Sequence, residues 1–320
     1  MIAETLTSPI ILFFVLGMLA GFARSDLTIP EAVAKGLAIY LMAAIGLKGG
    51  VSVAANGYTA DLGLAAVAGI GLSFLLPLPA FLLLRSLGRL DNVNAGAVAA
   101  HYGSVSLVTY VTATELLKSS GLAVPGFMAA VLALMETPAI ITGLSLARLG
   151  RQREAAAPSP GAGLVHEVFL NGSVVLLVGS FLIGLIAGPD GFKPVSAVFE
   201  VGYRGILCLF LLDMGLIASR RLLGTRALTV RLGTLAILLP LLNGTVGVVL
   251  GTLLGLGVPA AATLGILAAS SSYIAVPAAM RLAVPEADPG VYLSMSLGIT
   301  FPFNILFGIS LFAGLAKLLG

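Results

Sequence analysis

The sequence predicts an all-α integral membrane protein of ten transmembrane helices, built as a five-plus-five inverted repeat with helices four and nine broken. Three observations predict this. The first is composition. Of 320 residues, 58% are hydrophobic and only 10% charged, with a mean hydropathy of +1.10, whereas soluble domains carry about 25% charge. Apolar runs of roughly 20 residues, the length needed to cross a bilayer core, recur along the whole chain. Forty glycines and few aromatics suit close helix packing in lipid. The second observation is that the two halves repeat. The third is a pair of short serine-bearing interruptions in opposite halves.

The apolar runs fall at about 8–23, 31–54, 61–85, 94–118 and 126–148, then 165–187, 195–218, 228–256, 259–283 and 291–318. Met1 to Ser8 carries Glu4 but no Lys or Arg, so it lacks the basic start of a signal peptide and the first run is read as a retained span. The fourth run is interrupted by Ala-Ala-His-Tyr-Gly-Ser-Val-Ser at Ala99 to Ser106, and the fifth contains Glu136-Thr137-Pro138. The one clearly polar linker holds Arg148, Arg151, Arg153 and Glu154, followed by Pro-, Ser- and Gly-rich sequence that marks a loop. It divides the chain into a first repeat at 1–148, a cytoplasmic linker at 149–164 and a second repeat at 165–320. The ninth run is interrupted by Ala-Ala-Ser-Ser-Ser-Tyr-Ile-Ala at Ala268 to Ala275, and Pro277 just beyond favours a real break. The single Cys208 excludes an internal disulfide and a cysteine metal cluster.

Five matches recur in order. Gly17-Met-Leu-Ala-Gly21 returns as Gly184-Leu-Ile-Ala-Gly188, and Ile45-Gly46-Leu47 returns as Met214-Gly215-Leu216. The serine breaks follow at the same 169-residue offset. Glu136-Thr137-Pro138 then aligns with Thr300-Phe301-Pro302, and each is followed by Gly-x-Ser-Leu. Five spans is an odd number, so the second half enters the membrane from the other side. With both termini outside, 12 of the 17 Lys and Arg lie on the inner side and 5 on the outer: Lys48, Lys118, Lys193, Arg204 and Lys317. The positive-inside rule then places the linker and the Arg220–Arg231 cluster in the cytoplasm.

A helix that stops within the membrane leaves backbone groups unpaired, which is tolerated only inside protein or beside a wet cavity. The amides at a half-helix start favour a small anion, and nearby carbonyls and hydroxyls suit Na+. Gly103 admits close approach of a ligand to the backbone. Ser104, Ser106, Thr109, Ser270, Ser271 and Ser272 supply neutral donors and acceptors. Tyr273 closes the pocket with its ring. Ionisable groups at membrane depth are expensive, so Glu136 is a candidate cation or proton carrier, with Thr300 and Asn304 in its counterpart region. A lone His101 reads as a hydrogen-bonded structural residue, and Asp213 and Lys48 as interfacial charges. The motifs of zinc proteases, serine hydrolases and phosphate-binding loops are missing. Without an ATP site, uphill movement of a solute must draw on an ion gradient or the membrane potential.

These segments resemble the sodium-dependent bicarbonate transporter family. The residues that carry the resemblance are Ala-Ala-Ser-Ser-Ser at 268–272, Pro277-Ala-Ala-Met-Arg-Leu-Ala-Val-Pro-Glu-Ala-Asp-Pro289, Ile29-Pro30-Glu31-Ala32, Ile45-Gly46-Leu47-x-Gly-Gly50 and Met135-Glu136-x-Pro138-Ala139. The resemblance implies ten spans with helices four and nine broken and crossing, and a homotrimer in a bacterial inner membrane. It implies a mobile core that carries bicarbonate and Na+ past a fixed scaffold by an elevator mechanism. It assigns substrate to Gly103, Val105 and Ser106 with Ser270, Ser271 and Ser272. With Ser104 and Tyr273 added, these form the candidate substrate site; Ser106, Thr109, Ser272, Glu136 and Asn304 form the candidate Na+ site. No cofactor is expected beyond Na+, and the partners are bicarbonate or another small anion, Na+ and membrane lipid. The chain also departs from the family pattern. Tyr273 stands where an Asp follows the triple serine, Leu107-Val108 replaces Gly-Ser, and Glu136 replaces Asp. A lost carboxylate weakens a site for a hard cation. The short linker puts control by a cytoplasmic regulatory protein in question. The alternatives are a carrier of another small carboxylate with proton or no Na+ coupling, a gated anion channel, and an intramembrane enzyme using Glu136 and His101.

Overall fold

The structure, a computed structural model, describes residues 7–57, 59–149, 172–224 and 228–320. The linker expected at 149–164 and the start of the sixth run therefore lie almost wholly outside the described residues. Among those described, the chain is helical with no strand. Six helical stretches are long and apolar enough to cross a membrane: Glu31–Ala55, Ala60–Ser86, Met128–Ala147, Val175–Val195, Val230–Leu253 and Pro289–Leu319.

Helix α1 is Pro9–Phe22 and α2 is Glu31–Asn56. The third run becomes α3 (Ala60–Leu75) and α4 (Pro77–Ser86), split where Pro77 lacks an amide to continue the ladder. The fourth run becomes α5 (Asn92–Gly103) and α6 (Leu107–Ser119). The fifth becomes α7 (Met128–Glu136) and α8 (Pro138–Ala147). Helix α9 spans Gly172–Phe192 with a kink at Gly188, whose φ of 61° lies in the left-handed region. The next helix, expected from 195, begins later. Short 3-10 and π turns at Lys193–Val195 and Ala197–Val201 come first, and α10 then runs Tyr203–Gly224. Helix α11 is Val230–Leu253, α12 is Gly257–Ala269 and α13 is Ala275–Ala283. The last run starts as α14 (Pro289–Leu293), passes through π turns at Ser294–Thr300 and Asn304–Gly308 around α15 (Phe301–Phe303), and ends as α16 (Ile309–Leu319).

Four helices pack through glycine. A Cβ on Gly17 would stand 2.1 Å from Leu212 O, and one on Gly215 2.2 Å from Phe14 O. On the other pair, a Cβ on Gly184 would stand 2.1 Å from Leu47 O, and one on Gly50 1.9 Å from Phe181 O. Each glycine meets bare backbone of the facing helix, so α1 lies directly on α10 and α2 on α9, as small residues permit in lipid. Contact positions rise together along both helices of each pair (Gly17 with Leu212, Gly21 with Ser219; Gly46 with Leu177, Gly184 with Val51), so each pair runs parallel. The outer faces remain greasy, as Ile186 (85% exposed) and Leu19 (61%) illustrate. Asp213 departs from its expected interfacial place. It sits midway along α10, 5% exposed, with Oδ2 bonded to nothing in the protein.

The remaining helices surround the two breaks. Ser73 repairs the interruption of the fifth run at Pro138. Its Oγ donates to Met135 O at 2.6 Å and accepts from Ala139 N at 3.1 Å. This patch fixes where Glu136, the last residue of α7, emerges.

Candidate functional site

Both serine breaks are real, and they meet. Ser104 ends α5 in extended backbone (φ −88°, ψ 173°), and Ser270 ends α12 in the same way (φ −75°, ψ 165°). These helix ends pair Ser104 with Ser270 and Ser106 with Ser272. Gly215 lies on Phe14 O and Met18 N much as Gly50 lies on Phe181 O and Leu185 N.

The two segments are stitched by direct bonds. Ser106 N donates to Ser270 Oγ at 2.9 Å, and Ser272 N donates to His101 O at 3.0 Å. Two asparagines hold the carbonyls left bare at the helix ends. Asn243 Nδ2 donates to Tyr102 O at 2.9 Å, and Asn304 Nδ2 donates to Ala269 O at 2.8 Å. A buried polar group left unmade is costly, and these bonds make the interruptions stable within a buried core. Asn243 drew no attention in the sequence. Its one signal was an amide inside an otherwise greasy run, two residues from Leu241.

Ser106 caps α6, its Oγ accepting from Thr109 N at 3.2 Å. Ser272 Oγ accepts from Val276 N at 3.4 Å in the first turn of α13. Both second half-helices thus aim their N-terminal, partly positive ends toward the junction. Between them lies a cavity of about 20 Å3 lined by Met42, Val105, Ser106, Leu107, Glu136, Ser272, Tyr273 and Ile274. Five predicted site residues, Val105, Ser106, Glu136, Ser272 and Tyr273, therefore share one space. Tyr273 packs edge-on against Phe301 with ring centroids 5.3 Å apart, and its buried hydroxyl lies beside Ser106 without bonding geometry. Glu136 Oε2 is buried and has no hydrogen-bond partner in the protein, an unusual condition that a bound cation or proton would relieve.

The other predicted residues line the junction from behind. Gly103 lies against neighbouring helices and is not among the residues that line the cavity. A Cβ there would stand 2.3 Å from Pro77 Cγ and 2.9 Å from Ala139 Cβ, so the glycine serves helix packing. Ser104 Oγ donates to Glu136 O at 3.1 Å, tying the first break to the end of α7. Ser271 Oγ reaches Ser296 O at 3.4 Å, and Ser270 Oγ also donates to Leu267 O at 2.7 Å. Thr109 is buried, with its amide taken by the Ser106 cap. Asn304 keeps Oδ1 unpartnered but does not line the cavity. His101 is fully buried; Nδ1 bonds Ala97 O at 2.6 Å and the ring stacks on Tyr292. Among the described residues no group of three or more His, Cys, Asp or Glu is placed to hold a metal ion. The oxygens available to a cation are those of Glu136, Ser106 and Ser272 and nearby carbonyls, a set suited to a hard monovalent ion.

Residues 9–317 match the sequence family described as the Na+-dependent bicarbonate transporter superfamily. No curated protein matches the chain.

Proposed function

Because the chain belongs to the Na+-dependent bicarbonate transporter superfamily, and so is a multi-pass membrane protein of a transport family, we propose that it is a secondary symporter of a small anion, bicarbonate, driven by Na+. The observation that carries this reading is the shared cavity. Two half-helix N-termini and the hydroxyls of Ser106 and Ser272 face one space that Glu136, whose buried Oε2 has no hydrogen-bond partner, also lines. The dipoles and hydroxyls favour an anion without a buried Lys or Arg that would hold it too tightly to release. Glu136 favours the accompanying cation.

At about 20 Å3 the cavity admits little more than one water-sized species. Bicarbonate, with four heavy atoms, needs more room, so loading requires Tyr273 or the breaks to shift. The glycine-packed group of α1, α2, α9 and α10 is a natural fixed frame, and the helices carrying the breaks are the part that moves. The ten-span inverted repeat is supported by the crossed pairing of the frame. In a repeat, α1 corresponds to α9 and α2 to α10, and the contact of α1 on α10 is matched by that of α9 on α2. The parallel run of each pair is what inversion requires. Ser8 and Lys317 line one cavity, which supports both chain ends lying at the same membrane face. The homotrimer, the inner-membrane location and the extracytoplasmic placement of that face follow from the family resemblance and the charge bias.

The test is uptake of labelled bicarbonate into proteoliposomes with and without an inward Na+ gradient. Saturable uptake that accumulates against the bicarbonate gradient only with Na+ is expected. Equal uptake in both conditions removes Na+ coupling, and linear, non-accumulating flux favours the channel.

A further inference from the structure

A chain of three aromatic rings runs from the cavity between the breaks to the glycine-packed pair of α1 and α10. Tyr273 lines the cavity and meets Phe301 edge-on, with ring centroids 5.3 Å apart and planes at 64°. Phe301 in turn meets Phe14 of α1, at 5.4 Å and 89°. Edge-to-face contacts prefer a narrow range of geometries, so displacing one ring disturbs its neighbour. The far end of the chain is fixed. Phe14 is fully buried, and a Cβ on Gly215 would stand 2.2 Å from its carbonyl, so this ring springs from the closest approach of α1 to α10. Phe301 belongs with the helices that carry the breaks. Thr300 beside it shares a hydrogen bond of 2.6 Å with Tyr102 Oη, and Asn304, three residues on, donates to Ala269 O at 2.8 Å, which ties the segment to both broken helices. Phe301 also stands between π turns at Ser294–Thr300 and Asn304–Gly308, a rare geometry that recurs at functional sites. It is thus a point where the two parts touch directly behind Tyr273. The Tyr273 hydroxyl has no hydrogen-bond partner in the protein, so packing of the ring holds it in place. With the ring seated, the space left is about 20 Å3.

We propose that Tyr273 sets the size of the anion admitted and that Phe301 is its positioning residue, seating the ring while it rests on Phe14 and releasing it when the broken helices move along the frame. This deepens the proposed anion transport and rests on its division into frame and moving part. The first test needs no substrate. Val105, 2% exposed, lines the cavity, and Cys208 is the chain's only cysteine. In a Cys208→Ser protein carrying Val105→Cys, the rate of labelling by a small neutral thiosulfonate is divided by that of a free thiol. Tyr273→Ala should raise this rate about tenfold, and Phe301→Ala and Phe14→Ala about threefold or more, whereas Tyr273→Phe keeps the ring and should leave it unchanged. Adding Phe301→Ala to Tyr273→Ala should add nothing, because residues that act through one another are not additive. Phe312→Ala empties an equally buried site packed on Gly244 and controls for general loosening. Phe301→Leu, which keeps the site filled but removes the ring edge, should also raise the rate and replaces the alanine variant where that one does not fold. A rate unmoved by Tyr273→Ala overturns the proposal. So does an effect of Phe301→Ala that Phe312→Ala reproduces, or one that adds in full to Tyr273→Ala. Where bicarbonate is taken up, butyrate should become a competitor in Tyr273→Ala. The ratio of its inhibition constant to the KM for bicarbonate should fall about tenfold, within the range that one or two methylenes command in an apolar pocket, and an unmoved ratio overturns the size role. Labelling gated by Tyr273 and Phe301 without bicarbonate uptake leaves the lid standing and removes the substrate assignment.

Discussion

The two breaks have the same outline and different chemistry. In each, a helix ends in an extended serine, an asparagine from elsewhere in the chain holds an exposed carbonyl, and a second serine accepts from an amide in the first turn of the following half-helix. The first break is closed by packing, with Gly103 pressed against Pro77, and it is tied through Ser104 to the backbone of Glu136. The second is closed by an aromatic lid, Tyr273 on Phe301, and brings no acid to the cavity. The symmetric parts make a dipolar cradle. The asymmetric parts leave Glu136, beside the first break, as the acid that lines the cavity. The Tyr273 substitution therefore does not strip the site of carboxylate, because Glu136 faces the same space.

The sharpest way to break this contrast is Glu136→Gln. Removing the buried charge should raise the Na+ concentration for half-maximal uptake by about 30-fold or abolish Na+ dependence, corresponding to about 2 kcal/mol or more. In Tyr273→Asp the half-maximal Na+ concentration should instead fall. Unchanged Na+ dependence in Glu136→Gln would show that both breaks are neutral in function. Next in size is Gly103→Ala. The clash with Pro77 should lower stability by about 1–3 kcal/mol, measured as a drop in the thermal midpoint. The matching position of the second break already carries Ala269, so Ala269→Gly should cost less.

Asn243→Ala and Asn304→Ala each strand one carbonyl and should cost about 1–2 kcal/mol. Similar losses in both would confirm that the asparagines are equivalent props. A rise in Na+ half-saturation confined to Asn304→Ala would give its unpartnered Oδ1 a role in the ion site. The smallest effects belong to the two serines that bond the first turns of the half-helices. Ser106→Ala should lose about 1 kcal/mol, and Ser272→Ala less, because its bond to Val276 N is longer at 3.4 Å. Both should raise KM for the anion, which separates them from changes that act on stability alone.

The sequence by itself determined the class of the molecule and the location of its interruptions. Hydropathy runs long enough for a bilayer need little context, since backbone groups in lipid must bond within their own helix. Serine clusters in such runs, one of them followed by Pro277, mark where that ladder fails, as does Pro138 in the fifth run. Glu136 was legible for the same reason, being an acid at a depth where acids are expensive. Only the tertiary structure decided how the residues within each break are arranged. Which of Gly103, Val105 and Ser106 faces the cavity depends on how α5 meets Pro77, a contact between residues far apart in the chain. The props Ser73, Asn243 and Asn304 act across helices, bonding carbonyls that exist only because the helices break. The meeting of Lys48 and Lys118 on one cavity, and of Arg204 with Glu115 on another, was invisible as well, because along the chain these are scattered charges that only helix packing brings together.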